Sequence, residues 1–345
     1  MKIVGCDFHT RYQQIAMLDE ETGELMERRL EHENGEARAF YATLVGGVRV
    51  GIEATGHTRW FERMLADLGH ELWIGDAAQI RAAMVRKQKT DARDAAHVLE
   101  MLLSGRFPRI WRPTMAERDL RQLVWHRQKL VGMRVAVSNQ LHALAMGEGV
   151  CRKKKLFTKK GRAELESLAL DAWASRRRQE LLRMLDGLDA SLKELDQAVA
   201  EQAEQNPAAV RLMAHPGVGP VTSLAFVLTL GPVERFERSK QVVSYLGLNP
   251  REHSSGGKQR LGAISKQGNP MMRSLLVEAG HTAARLDAEL KQDYQRLKLR
   301  RGSGVAKVAI ARKLAVRMYW MLRRPAGCAQ QVRMQDSPWA TLVKE

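Results

Sequence analysis

Four carboxylates near the start of the chain stand where acids are badly placed unless they have a task. Asp7 interrupts the apolar run Ile3-Val4-Gly5-Cys6-Asp7-Phe8, and Glu53 interrupts Val50-Gly51-Ile52-Glu53-Ala54. Asp91 and Asp94 follow Thr90 and share one face of a helix's first turn, where the helix dipole also favours acids. Strand ends in an α/β sheet lead into the crevice that binds ligands. Carboxylates brought together there repel one another unless divalent cations lie between them. An all-oxygen donor set selects Mg²⁺ or Mn²⁺. Two such ions can activate a nucleophile and stabilise the leaving oxygen of a phosphodiester transfer. Two strand-borne acids and a helical pair therefore point to a ribonuclease-H-like metal site.

Three further segments have chemistry suited to phosphate. Pro250-Arg251-Glu252-His253-Ser254-Ser255-Gly256-Gly257-Lys258-Gln259-Arg260 sets two hydroxyls beside two glycines, flanked by Arg251, Lys258 and Arg260. Such a loop can hold a serine oxygen against a phosphate among cations, although a solvated Gly/Ser loop has the same composition. His215-Pro216-Gly217-Val218-Gly219-Pro220 precedes a helix, and Gly217 and Gly219 let backbone N–H groups approach a phosphate as in a helix-hairpin-helix element. A plain interhelical turn reads identically. Between Arg152 and Arg162 there are seven cations in eleven residues, namely Arg152, Lys153, Lys154, Lys155, Lys159, Lys160 and Arg162, with Phe157 among them. That run is either a solvated loop or a phosphate contact. His57, His70, His97, His126 and His142 have no metal-like spacing, and no P-loop, GxGxxG or HExxH pattern occurs.

These residues need elements to position them. Lys2–Phe8, Gln13–Leu18 and Glu24–Leu30 read as three strands; Glu36–Leu44 reads as a helix, Val48–Ala54 as a strand, Arg59–Leu68 as a helix and Leu72–Gly75 as a strand. A helix capped by Thr90 runs to Leu103. This order predicts a mixed sheet covered by helices. From Met115 to Glu204 strand signals vanish. Leu181, Leu185, Leu188, Leu192, Leu195 and Val199 form an a/d seam over about three heptads, which predicts an antiparallel coiled coil with the helix before it. Further helices are expected at Val221–Leu230, Ser239–Leu246, Pro270–Asp287 and Val305–Leu322, the third started by Asn269 and Pro270. The domains are then 1–112, 113–205, 206–325 and a tail, 326–345.

Composition bounds the partner. The chain has 345 residues, enough for about two domains with an insert at roughly 150 residues each, and a formal net charge of +17. Residues 1–100 carry 13 basic and 17 acidic residues, so the excess of cations lies entirely in the remainder. A basic remainder suggests a polyanion partner. The longest apolar run, Val221 to Val233, is broken by Thr222, Ser223, Thr229, Gly231 and Pro232, so no membrane span is expected. Three isolated cysteines and no leader pattern predict a cytoplasmic protein.

Taken in order, the blocks Ile3-Val4-Gly5-Cys6-Asp7, Gly51-Ile52-Glu53-Ala54-Thr55-Gly56, Lys89-Thr90-Asp91-Ala92-Arg93-Asp94-Ala95, Pro216-Gly217-Val218-Gly219, Tyr245-Leu246-Gly247-Leu248-Asn249-Pro250-Arg251, Ser254-Ser255-Gly256-Gly257-Lys258 and Ile264-Ser265-Lys266-Gln267-Gly268-Asn269 resemble a known family. The chain is similar over nearly its whole length to the DEDD-type transposases of the insertion sequence 110 and 1111 families. The resemblance implies an α/β, RuvC-like N-terminal domain whose catalytic, metal-holding acids are Asp7, Glu53, Asp91 and Asp94. After it come a coiled-coil insert and a mainly helical C-terminal transposase domain. It implies a serine nucleophile, placed at Ser255 because members with one serine in this loop align it there, with Ser254 as the alternative. It also implies 5′-phosphoserine links, Mg²⁺, donor and target DNA, a structured non-coding bridge RNA as guide, and dimers that associate into a tetramer. Lys266 joins the cations expected on nucleic acid. The cation-rich insert around Cys151–Arg178 and the double serine depart from the family pattern. Two other readings stay open at this level: a RuvC-like junction nuclease that uses water, and a non-enzymatic nucleic-acid-binding protein.

Overall fold

The computed structural model describes residues 1–84, 90–152, 155–254 and 260–324. It divides into two compact units, Met1–Arg112 and Pro113–Glu345.

The first unit is built on β1 (Lys2–Phe8), β2 (Tyr12–Asp19), β3 (Leu25–Glu31), α1 (Glu36–Thr43), β4 (Val48–Glu53), α2 (Arg59–Asp67), β5 (Glu71–Gly75), α3 (Ala77–Ala82) and α4 (Asp91–Leu103). The strands form one sheet in the order β3-β2-β1-β4-β5. β1 pairs antiparallel with β2 and parallel with β4, and β4 pairs parallel with β5. Side chains alternate between faces along a strand. Val4, Cys6, Val50 and Ile52 therefore pack on one face with Phe40, Tyr41, Phe61 and Leu65 from α1 and α2. Ile3 and Ala16 pack on the other with Ala95, Val98, Leu99 and Leu102 of α4. This mixed, two-faced sheet is compatible with a ribonuclease-H-like domain.

Glycines on β1 and β4 set how closely α4 lies. A Cβ on Gly5 would fall 2.3 Å from both the Ala95 carbonyl oxygen and the Leu99 nitrogen, and one on Gly51 would fall 2.6 Å from Leu102. The helix backbone rests directly on the strand.

The second unit is almost wholly helical. It contains α5 (Met115–Gly147), α6 (Lys159–Ser167), α7 (Ala172–Glu204), α8 (Pro207–Met213), α9 (Pro220–Leu230), α10 (Ser239–Tyr245), the short strands β6 (Pro250–Glu252) and β7 (Leu261–Ile264), α11 (Pro270–Leu286) and α12 (Ala288–Arg323). α5 and α7 run antiparallel. Arg127 Nε meets Asp196 at 2.7 Å, Arg134 pairs with Asp189, and Arg177 meets Gln140 at 3.1 Å. Of the leucine seam on α7, Leu181, Leu185, Leu192 and Val199 are buried. At the far end of the pair, Arg178 is buried and donates to the Leu165 and Leu168 carbonyls at 3.0 and 2.8 Å, which ties α6 to α7.

Several elements differ from the sequence expectation. α6 starts within the cation run, where charge hides its short apolar stripe. β6 and β7 are only three and four residues long, too short for a periodicity to register. α12 begins at Ala288, well before Val305, because Asp287 caps it by accepting from the Leu290 N–H at 2.8 Å. Its first half is so highly charged that no continuous apolar face marks it as a helix.

Replacing Gly5 with Ala should destabilise the first unit by about 3 kcal/mol, the upper end for overpacking, because backbone and not a flexible side chain stands in the way. Gly132→Ala, in α5 with open space beside it, should instead stabilise by about 0.5–1 kcal/mol. Urea unfolding followed by circular dichroism measures both.

Candidate active site

β1 and β4 end side by side, since Cys6 faces Ile52 in the parallel register and Asp7 and Glu53 come next on each. Asp7 shares the sheet face of Gly5, the face that α4 covers. Asp91, Asp94, Ala95, Val98 and Leu102 make one stripe on α4 at helical spacing. The lower part of that stripe is buried on the sheet, so its acidic start is carried to the end of β1. The Thr90 side chain caps this turn, accepting from the Arg93 N–H at 3.4 Å.

Side chains of Asp7, His9 and Asp91 converge, with one ligand atom from each lying within 4.8 Å of the others. His9 Nε2 is 3.0 Å from Asp7 Oδ2 and 3.5 Å from Asp91 Oδ2. Tyr12 donates its hydroxyl to the same Asp91 oxygen at 2.9 Å, and the Arg29 guanidinium covers the Tyr12 ring at 3.7 Å. Asp94 belongs to the same electrostatic neighbourhood. Burial pushes the Asp7 carboxyl above the usual range; His9 opposes this, and the charges of Asp94 and Asp91 add to it. The bond to Asp91 likewise raises the Tyr12 phenol. Glu53 stands apart from this cluster, with its Oε1 held by Arg81 of α3 at 3.0 Å. Two carboxylate oxygens converging on one imidazole nitrogen form a donor set that fits a divalent cation: Asp7 and Asp91 are already together, Asp94 adds its charge, and Glu53 is paired with Arg81. Neighbouring Cys6 is a core residue, not a nucleophile. It is fully buried, and burial raises its thiol.

In the second unit β6 and β7 form a hairpin, and Ser254 follows β6. The Ser254 hydroxyl donates to Glu252 Oε1 at 2.6 Å and accepts from the Arg260 backbone N–H at 3.1 Å. Ser255 and Lys258 lie outside the described residues. Arg251 and Arg260 are exposed on this hairpin. Its base is anchored tightly. Ser265 bonds Asn249 through backbone at 2.8 Å and side chain at 2.9 Å, and a Cβ on Gly247 would fall 1.8 Å from the Gln267 carbonyl. Lys266, exposed at that junction, is the one non-glycine residue with positive φ among those described, at 58°.

The expected phosphate cradle divides. Gly217, at φ +87, has its backbone pressed onto α11, where a Cβ would fall 2.5 Å from the Ala283 nitrogen, whereas Gly219 faces open space. The cation run divides too. Arg152 grips Glu164 at 2.7 and 3.0 Å, and Arg162 grips Asp186 at 2.5 and 2.7 Å as well as Glu166 at 2.8 Å. Lys155, Lys159 and Lys160 are exposed, and Lys153 and Lys154 lie outside the described residues. Trp173, in the first turn of α7, is 80% exposed.

Sequence reasoning missed His9, Tyr12, Arg81 and Trp173. His9 sits in a polar tripeptide that reads as a hairpin turn, and its two-residue offset from Asp7 was the available signal. Nothing in the sequence pairs Tyr12 with Asp91, 79 positions away.

A sheet of this order, with acids gathered at the ends of its central strands, is the framework of a nucleic-acid-processing enzyme. Residues 4–147 match the family DEDD_Tnp_IS110, described as a transposase. Residues 209–295 match the family described as transposase IS116/IS110/IS902. The chain is similar to the transposase for insertion sequence element IS1111A of Coxiella burnetii, 29% identical over 341 residues that cover 94% of this chain and 90% of the relative. It is similar also to a probable family 20 transposase of Pseudomonas aeruginosa, 28% identical over 340 residues covering 94% and 97%. A third relative, the transposase for insertion sequence element IS1328 of Yersinia enterocolitica, is 26% identical over 283 residues covering 79% and 83%. The protein is an insertion-sequence transposase, a DNA recombinase by class. It belongs to the IS110 family. No helix among the described residues is long and apolar enough to cross a membrane.

Because Asp7 keeps its proton in the folded state at a pH where the unfolded chain has lost it, stability without divalent ions should fall as pH rises from the ordinary carboxylate range through Asp7's raised one. Asp7→Asn should remove this slope. It should melt above wild type at neutral pH and level with it below the carboxylate range, as calorimetry across that pH span will show.

Proposed function

We propose that this transposase cuts and rejoins DNA by serine attack assisted by a divalent cation held by Asp7, Asp91, Asp94 and Glu53, with Mg²⁺ as the resident ion. The observation that carries this reading is the convergence of Asp7 and Asp91 on His9, a carboxylate pair held together at the end of β1. A cation bound there would neutralise the carboxylates and polarise the scissile phosphate. Tyr12 and Arg29 keep Asp91 oriented toward Asp7, and Arg81 holds Glu53 until the site fills.

Ser255 is the proposed nucleophile. Its oxygen bonds to phosphorus as the P–O3′ bond breaks, giving a 5′-phosphoserine and a free 3′-hydroxyl and keeping the bond energy for rejoining. The bonds of Ser254 to Glu252 and Arg260 support Ser255 by giving Ser254 the task of closing the hairpin. Arg251, Arg260, Lys258 and Lys266 supply the cations for the reacting phosphate; the left-handed backbone of Lys266 is the kind of local strain that clusters at functional sites. Lys155, Lys159, Lys160 and the exposed Trp173 contact nucleic acid at the end of the α5–α7 pair, where a base can stack on the indole. Base pairing with a structured non-coding RNA supplies sequence choice, and dimers associating into a tetramer bring two sets of sites together.

A strand-transfer assay tests this reading. Purified protein with the RNA encoded beside its gene is given labelled donor and target duplexes in Mg²⁺. A covalent protein–DNA adduct is expected, lost without Mg²⁺ or RNA and reduced by at least about 100-fold in Ser255→Ala and Asp7→Asn, in the range of losing an essential catalytic group. Cleavage that survives both Ser255→Ala and Ser254→Ala would overturn the serine mechanism in favour of water.

A further inference from the structure

Between Lys291 and Arg324 the sequence carries eleven basic residues and a single acid, Asp293. The structure shows that this stretch is a hairpin and not one straight rod. Gly302 interrupts α12 with φ 81° and ψ 165°. Ion pairs then fold its halves back on each other: Lys313 reaches Asp293, and Arg317 reaches Asp287 at 2.8 Å and Glu289 at 2.7 Å. As one partner moves toward Gly302 in sequence so does the other, which makes the two arms antiparallel with Gly302 at the tip.

The base of the hairpin is packed, with Leu290, Ile310, Leu314 and Ala315 buried. The tip is different. Asp293 is already taken by Lys313 and by Arg296 at 2.9 Å. Lys298, Arg300 and Arg301 are exposed, Lys307 is half-buried, and none of the four has an ion-pair partner among the described residues. Between them Leu299 is 88% exposed, so no other described part of the chain covers this end. Helix stability alone does not ask for the arrangement. Arg300 and Arg301 suit the C-terminal end of the first arm, but Lys307 sits in the opening turns of the second, where the dipole disfavours a cation. Lys298 and Arg301, three residues apart, share a face. Uncompensated like charges crowded at a turn are relieved by an external polyanion, and the planar guanidinium fork matches phosphate oxygens.

We propose that this tip grips the phosphodiester backbone of a nucleic-acid duplex, as a contact separate from the serine loop and from the cations near Lys159. The proposal rests on the reading of the chain as a nucleic-acid recombinase. The test compares the full-length protein with Arg300→Gln/Arg301→Gln and with Arg38→Gln/Arg63→Gln, which removes two exposed cations of the first unit. Fluorescence anisotropy with labelled duplex DNA and, separately, duplex RNA is measured across a salt series. Each lost phosphate contact lowers the slope of log K against log salt by about 0.9. The tip variant should therefore lose about 1.8 from the slope on at least one duplex, with an unchanged melting temperature, while the control variant keeps the wild-type slope. Loss on DNA alone or RNA alone names the source of the backbone. An unchanged slope on both duplexes overturns the proposal, as does an altered sedimentation coefficient with unchanged binding, which would assign the tip to self-association. Absence of binding by wild type would instead sink the recombinase reading itself.

Discussion

The first unit depends on a helix backbone lying directly on a strand. Gly5 and Gly51 present no side chain to α4, and the resulting approach is too close for even a methyl group at Gly5. Everything at the carboxylate cluster follows from that contact. α4 cannot slide or rotate on the sheet without driving backbone into backbone, so the acidic start of its stripe is held above the end of β1. Two acids from elements far apart in sequence are thereby fixed 3.0 and 3.5 Å from one imidazole nitrogen. Folding energy from the apolar stripe Ala95, Val98, Leu99 and Leu102 opposes the repulsion between Asp7 and Asp91.

A similar economy governs the positive charge. Many arginines that look available in sequence are used to satisfy carbonyls at helix ends. Arg121 donates to the Leu228 oxygen at 3.0 Å, Arg235 to Leu230 at 2.8 Å, and Arg211 to Arg324 at 3.0 Å. Others, such as Arg152 and Arg162, are paired with acids. What remains for a polyanion is a smaller set of exposed lysines and arginines, which includes those at the end of the α5–α7 pair, around the serine hairpin and at the tip of α12. Net charge alone overstates how much of the surface can act.

The serine loop depends on its anchorage. Tyr245-Leu246-Gly247 and Gln267-Gly268 interlock through glycines whose positive φ and lack of a side chain permit carbonyl contact. Asn249 and Ser265 then bond across the base of the hairpin. Motifs that read as separate blocks are one support, and its rigidity sets where a reacting oxygen can be presented.

The alternation of strands and helices, the acids that break apolar runs, the leucine seam of α7 and the caps at Thr90 and Asn269 were all legible in the residues, because each is a local pattern set by backbone periodicity or by a single hydrogen bond. The carboxylate set was legible as a list of types but not as a geometry. His9 and Tyr12 join Asp91 only after β1 and β2 turn and α4 docks, and Glu53 meets Arg81 for the same reason. The hairpin in α12 was invisible, since its arms carry charge where a helix usually shows an apolar stripe, and only ion pairs twenty to thirty residues apart reveal the fold-back. Sequence determined which groups could do chemistry and which segments would be regular. Tertiary packing decided which of those groups meet, which cations remain uncompensated and which glycines serve close contact, because each depends on distances between residues remote along the chain.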